Sequence, residues 1–161
     1  NFLQVDQLTE ELTEDDWNEA YQDVSSTLLE LARAVELLFG RAAEVIAYQA
    51  GTRAAPHFPE VYELETSDQQ LEQLRQKLCH CFDFKSEQKT DGTLIFRFRH
   101  CAIYPIVTEA GETAGESILC RMFHHFFSGL LSGIRQERYT CNHTSCGTNC
   151  ILDFSSTGQT T

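Results

Sequence analysis

The residues able to do chemistry crowd toward the C-terminal end of the chain. Cys120 opens the run Cys-Arg-Met-Phe-His-His, and Cys141, His143, Cys146 and Cys150 follow within thirty residues. Thiolates and imidazoles are the usual zinc ligands, and a structural zinc takes four of them in a tetrahedron. Cys141, Cys146 and Cys150 are close enough in sequence to surround one ion from a hairpin loop, with Cys120 as the fourth ligand and His143 competing for a place. Buried reduced thiols, or a disulfide between two loop cysteines, fit the same residues. Cys79, Cys81 and Cys101 bring the total to seven. That odd count weakens a disulfide framework.

A second group is apolar. Phe96 and Phe98 on a strand, and Phe123, Phe126, Phe127 and Leu130 on a helix, could enclose a flat hydrophobic ligand. Sites of that kind are greasy with a few polar groups. His100, His124 and His125 would be those groups, or would reach the central metal of a tetrapyrrole. The competing reading is a plain aromatic core, since such residues recur at helical spacing in any buried helix.

The elements that must position these groups follow from periodicity. Val24, Leu28, Leu31, Val35, Leu38, Ala42 and Ile46 recur at spacings of three and four and predict one long helix over 24–50, capped by Ser25 or Ser26 and ended by Gly51. Before it, residues 1–23 read as an acidic arm, in which Thr13 followed by Asp16 could start a short helix. A second helix is expected over 67–82. Asp91-Gly92 signals a tight hairpin, because a primed turn needs positive φ. Residues 93–103 then read as a strand with Leu94, Phe96, Phe98 and His100 on one face and Cys101 on the other, extended by 104–107 past Pro105. A third helix spans 115–134, where Gly129 and Gly133 permit close approach of another backbone or a flat ligand. Two strands, 138–142 and 150–155, flank the cysteine loop, and 155–161 is a polar tail.

With 161 residues, a 42% hydrophobic fraction and 22% charged residues, the chain has the size and composition of one globular domain, placed at 24–154. The net charge of -12 repels phosphate backbones and argues against nucleic acid as a partner. No stretch approaches the roughly 20 apolar residues of a membrane span. Residues 1–23 carry eight acids and no Lys or Arg, the opposite of a secretory signal. The opening Asn1 points to a trimmed or processed chain. A cytoplasmic location is expected. Neither GxGxxG nor GxxxxGK[ST] occurs, so no nucleotide fingerprint supports an enzyme.

The glycine-bearing helix entered through Cys120, the strand and cysteine loop after it, and Cys150 leading an apolar strand resemble the 4-vinyl-reductase-type, or hydrocarbon-binding, domain. Phe39-Gly40-Arg41 and Gly51 in the long first helix fit as well. The resemblance covers roughly 24–154 and is sharpest over 115–154. It implies a mixed α/β (α+β) domain, an antiparallel sheet packed against long helices, similar in fold to a trafficking-complex (TRAPP) subunit. It also implies a homodimer and a buried apolar pocket. Members occur in bacteriochlorophyll biosynthesis, in aromatic-sensing regulators and in cyanobacterial photosystem assembly. Sensor members hold zinc through a helix Cys, a Glu-x-x-Cys and a final Cys. Those positions become Cys120, a residue near Arg138, Cys141 and Cys150. Arg138 replaces the Glu, so Cys146 or His143 takes that place, or the metal is lost.

The expected function is therefore a non-enzymatic module for a hydrophobic small molecule, such as a tetrapyrrole pigment, with structural zinc from Cys120, Cys141, Cys146 and Cys150. Pigment handling or photosystem assembly, with assembly factors as partners and the thylakoid surface as an alternative location, follows from the resemblance. A vinyl reductase and a ligand-free dimeric scaffold are the alternatives.

Overall fold

The computed structural model describes residues 13–58 and 67–157; the first twelve residues of the expected arm and the end of the expected tail lie outside them. Helix α1, Glu14–Phe39, starts in a capping box: the Asp16 amide donates to Thr13 Oγ1 at 3.2 Å, and the Thr13 amide donates to Asp16 Oδ2 at 2.7 Å. It begins ten residues before the helix expected at 24, so Ser25 and Ser26 lie inside it rather than capping it. Gly40, at φ +54°, ends it, and α2, Ala42–Ala54, begins a new helix that contains Gly51. The single helix predicted over 24–50 is thus two. A positive-φ glycine breaks the backbone ladder even where apolar periodicity runs on.

A single 3-10 turn, Ala55–His57, follows α2. Helix α3 is Ser67–Leu78, and the hairpin of β1, Phe82–Gln88, and β2, Leu94–Cys101, turns at Gly92 with φ +84°. Residues 104–107, expected to prolong the strand, lie instead in α4, Ile103–Glu109, which also takes Ile103 from the expected strand end. Pro105 stands in the first turn of α4, where its missing N–H costs no hydrogen bond. Helix α5, Ile118–Arg135, is capped by Ser117, whose hydroxyl accepts from the Leu119 amide at 3.3 Å. Strands β3, Tyr139–Ser145, and β4, Cys150–Ser156, close the chain. The four strands form one antiparallel sheet in the order β1-β2-β4-β3.

One face of the sheet is charged and solvated, with Arg99 on Asp83 at 2.7 Å and Arg97 on Glu87 at 3.1 Å. The other face carries Phe84, Leu94, Phe96, Phe98, Leu152 and Phe154 against Phe127, Leu130 and Leu131 of α5 and Leu71 and Leu74 of α3. A second core joins Leu29 and Ala32 of α1 to α4 and the start of α5. Here the expected stripe is corrected. The face of α1 that packs inward is Ser25, Leu29 and Ala32, while Val24, Leu28, Leu31 and Leu38 point to solvent.

Helices α2 and α5 cross backbone to backbone. A Cβ on Gly129 would lie 1.9 Å from the Tyr48 carbonyl oxygen, and one on Gly51 would lie 1.9 Å from that of Phe126. Thr52 Oγ1 bridges the crossing by donating to the Gly129 carbonyl at 3.3 Å. The close approach predicted at Gly129 and Gly133 is made by another helix.

Candidate functional site: a thiol and imidazole cluster on an apolar cavity

Cys120, Phe123, His124 and Phe127 recur at three and four along α5 and so share its sheet-facing side. The β3–β4 loop carries Cys146 back over this side, and Cys150 opens β4 opposite Phe98 of β2. Three ligand atoms meet there. Cys146 Sγ lies 3.4 Å from Cys150 Sγ and 4.0 Å from His124 Nε2, and all three atoms lie within 4.8 Å of one another. Gly115, at φ +86°, holds the loop down: a Cβ there would meet Cys146 Cβ at 2.6 Å and Sγ at 2.7 Å.

The spacing suits a tetrahedral cation. Zinc–sulfur bonds of about 2.3 Å at tetrahedral angles put two sulfurs about 3.8 Å apart, close to the distance found. His124, Cys146 and Cys150 would hold such an ion, leaving a fourth position for an outside ligand; Cys101 and Cys120 border the same cavity outside the group. Burial pushes the Cys120 thiol up to about 11. Burial, reinforced by the hydrogen bond with Cys146 and by neighbouring thiols, pushes Cys150 well above its ordinary range. A cation binding here must displace protons from neutral thiols, so capture becomes easier as pH rises.

The cavity beside the cluster is walled by Phe98, Ile103, Tyr104, Ala114 and Phe123 together with the sulfurs. Its volume is about 20 Å³, room for roughly one water molecule. Of the residues expected to line a ligand pocket, Phe98, Phe123 and His124 border this cavity. Phe96, Phe127 and Leu130 lie elsewhere, in the packed core. Phe96 stacks on Phe84 with ring centres 4.8 Å apart and meets Phe127 edge-on at 5.4 Å. Phe126 is half-buried and borders neither of the cavities described here; its carbonyl faces Gly51.

His100 is turned out to solvent. Strand β2 carries an extra residue at Arg99, because Asp83 pairs with His100 while Phe84 pairs with Phe98. The bulge inverts the alternation beyond it. His100 joins the charged face, and Cys101, expected outside, enters the cavity wall.

Of the four expected ligands, Cys146 and Cys150 meet, Cys120 borders the same cavity outside their group, and Cys141 stands apart. It lines a groove of about 210 Å³ with Tyr48, His125, Arg138 and Tyr139, between α2, α5 and β3. Burial pushes its thiol up to about 12. His125 Nε2 in this groove sits 3.3 Å from Glu44 Oε2, so the neighbouring histidines serve opposite sides of α5. The side chain of His143 lies outside the described residues. The sequence reading did not join His124 to the thiols, although its place four residues after Cys120 on a helix was the available signal. Tyr104, Ala114 and Gly115 carried no signal of their own.

No protein-family model matches the chain, and no curated protein matches it. Solved structures do. The trafficking protein particle complex subunit 3 from Naegleria fowleri, covalently bound to palmitic acid, aligns at a TM-score of 0.61 and 11% identity, over 88% of this chain and 97% of that one. The phenol-responsive sensory domain of the transcription activator PoxR, with phenol, aligns at 0.62 and 12% identity, over 84% of this chain and 74% of that one. At these identities the likeness is one of fold, and that fold is the mixed α+β architecture of a TRAPP subunit, with its antiparallel sheet packed against long helices.

Proposed function

We propose that this chain is a binding module of the hydrocarbon-binding type, which takes a hydrophobic small molecule into the space between α4, α5 and β2. The carrying observation is the coincidence of an apolar wall with the His124–Cys146–Cys150 cluster at one cavity. Two proteins of the same fold, the phenol-bound PoxR domain and the palmitate-bound trafficking subunit, support the reading. At about 20 Å³ the cavity is too small for a drug-sized ligand, whose pockets run to about 300–1,000 Å³. Binding of a larger molecule therefore requires the cavity walls to part. Zinc is the metal that suits two thiolates and an imidazole, and its role is to tie the β3–β4 loop to α5. Tetrapyrrole binding and a part in photosystem assembly extend this reading along the family resemblance.

The test is calorimetry of the metal-loaded protein with phenol, palmitate and a chlorophyllide, beside metal analysis of protein purified without a nickel column. One zinc per chain, lost in Cys150→Ser, and saturable binding of one ligand, blocked in Ala114→Phe, are expected. A folded protein that binds none of the three, with zinc far below one per chain, refutes the proposal.

A further inference from the structure

The groove that takes in Cys141 belongs to neither the thiol cluster nor the cavity beside it. It arises from the crossing of α2 and α5. At Gly129 and Tyr48 the two helices touch through their backbones. Four residues earlier on each, side chains take the place of glycine as the spacer. His125 Nε2 lies 3.3 Å from Glu44 Oε2, and Arg121 Nε lies 3.2 Å from Glu44 Oε1. Strand β3 closes the third side with Arg138, Thr140 and Cys141. The walls differ in character. Val45 and Tyr48 supply an exposed methyl surface and a half-buried ring. The buried side holds neutral groups, the Ser128 hydroxyl and the Cys141 thiol, which burial keeps protonated. The Glu44 carboxylate is already met by Arg121 and His125. Arg138 is exposed, and among the described residues its guanidinium has no ion-pair partner. Arg33, Arg97, Arg99 and Arg121 each have one.

We infer that this groove is a second ligand site, for a small monocarboxylate with an apolar body: the carboxylate meets Arg138 and the body lies between Val45, Tyr48 and Cys141. A guanidinium presents a planar fork of N–H groups that matches the two oxygens of a carboxylate. A dianion such as phosphate is disfavoured, because Glu44 stands in the same groove and the chain carries a net charge of -12. A cation would face Arg138. Size narrows the class further. The groove's 210 Å³ equals about seven waters at roughly 30 Å³ each, room for one ring or a short chain. It is ten times the volume of the cavity beside the thiols, about 20 Å³, so a ring enters without any wall parting. The site uses no residue of the His124–Cys146–Cys150 cluster and stands independently of the metal.

Calorimetric titration of the full chain tests this, with benzoate as the probe and benzamide and benzylamine as its neutral and cationic counterparts. Benzoate should bind in the millimolar range, on the order of 10-fold tighter than either counterpart. Arg138→Gln should remove that advantage and leave benzamide unchanged. Val45→Trp, at an exposed position, fills the groove and should block benzoate while the fold is kept. In nuclear magnetic resonance, benzoate should move the amide signals of Tyr48, His125 and Thr140 and leave those of Ala114 and Gly115 in place. Metal-free protein and Ala114→Phe should bind benzoate as the parent does, which separates this site from the one proposed above. Benzoate no tighter than benzamide, or undiminished in Arg138→Gln, overturns the carboxylate. Shifts confined to Ala114 and Gly115 overturn the groove. A chain that binds none of the three probes overturns the inference and leaves the metal cluster untouched.

Discussion

Adding one methyl group at Gly129 tests how the two long helices beneath the site are held. The new Cβ would lie 1.9 Å from the Tyr48 carbonyl oxygen and 3.0 Å from the Thr52 amide nitrogen, both backbone atoms that no rotamer change can move. Ordinary contact begins near 3.4 Å, so α2 and α5 must part by roughly 1.5 Å. A gap of 0.5–1 Å already forfeits about a quarter to a half of a contact's dispersion energy. Over a crossing where Tyr48, Gly51 and Thr52 meet Phe126, Gly129 and Leu130 through their backbones, the loss is about 4 kcal/mol, above the roughly 1–3 kcal/mol usual for overpacked cores because backbone must move. Alanine returns about 1 kcal/mol through helix propensity. The net cost of Gly129→Ala is therefore about 3 kcal/mol, or roughly 6–12 °C in Tm for a domain of this size. Gly147→Ala, whose Cβ would meet nothing within 4 Å, is the control and should melt within a degree or two of the parent. Scanning calorimetry of both decides the matter. A Gly129→Ala protein that melts at or above the parent shows that propensity alone acts there and that the helices do not touch as described.

Phe96→Ala removes a fully buried ring stacked on Phe84 and should cost about 3–5 kcal/mol, seen as a fall in Tm of about 10 °C. Zinc content should stay unchanged, since Phe96 does not border the cluster. The Cys141 thiol is raised from 9.0 to about 12 by burial, so the native state prefers the protonated form more strongly than the unfolded chain does. Its contribution to stability is complete below pH 9 and is lost as pH rises toward 12. In denaturant titrations across that window, Cys141→Val should decline less steeply than the parent, and equal slopes would contradict the burial.

Local signals translated well into elements. Thr13 and Asp16 form the capping box their spacing announces, and Asp91 and Gly92 make the hairpin turn, where the Thr93 amide donates to Asp91 Oδ1 at 2.9 Å. The aromatic face of β2 and the apolar α5 were also readable. What escaped were events of a single residue. Gly40 stops a helix while the apolar repeat continues past it. Ile103-Tyr104-Pro105 has strand-like composition, yet it opens a helix because Pro is tolerated in a first turn. The candidate site was half legible. Cys146 and Cys150 meet as their loop spacing suggested, but Cys141 sits in a different groove. Nearness along a strand says little about which hollow a side chain enters once neighbouring helices divide the space. The outward face of α1 was misjudged for a related reason: periodicity reports that a stripe is apolar and is silent about what will cover it.

The irregularity at Arg99 decides which atom faces the hollow. Downstream of it, a sulfur from Cys101 borders the cavity and an imidazole from His100 meets water. Excising that one residue would exchange the two, trading a soft donor for a borderline one at the cost of the Arg99–Asp83 ion pair. Ion preference follows donor softness. The insertion thus sets whether the wall beside the His124–Cys146–Cys150 cluster offers a sulfur or an imidazole.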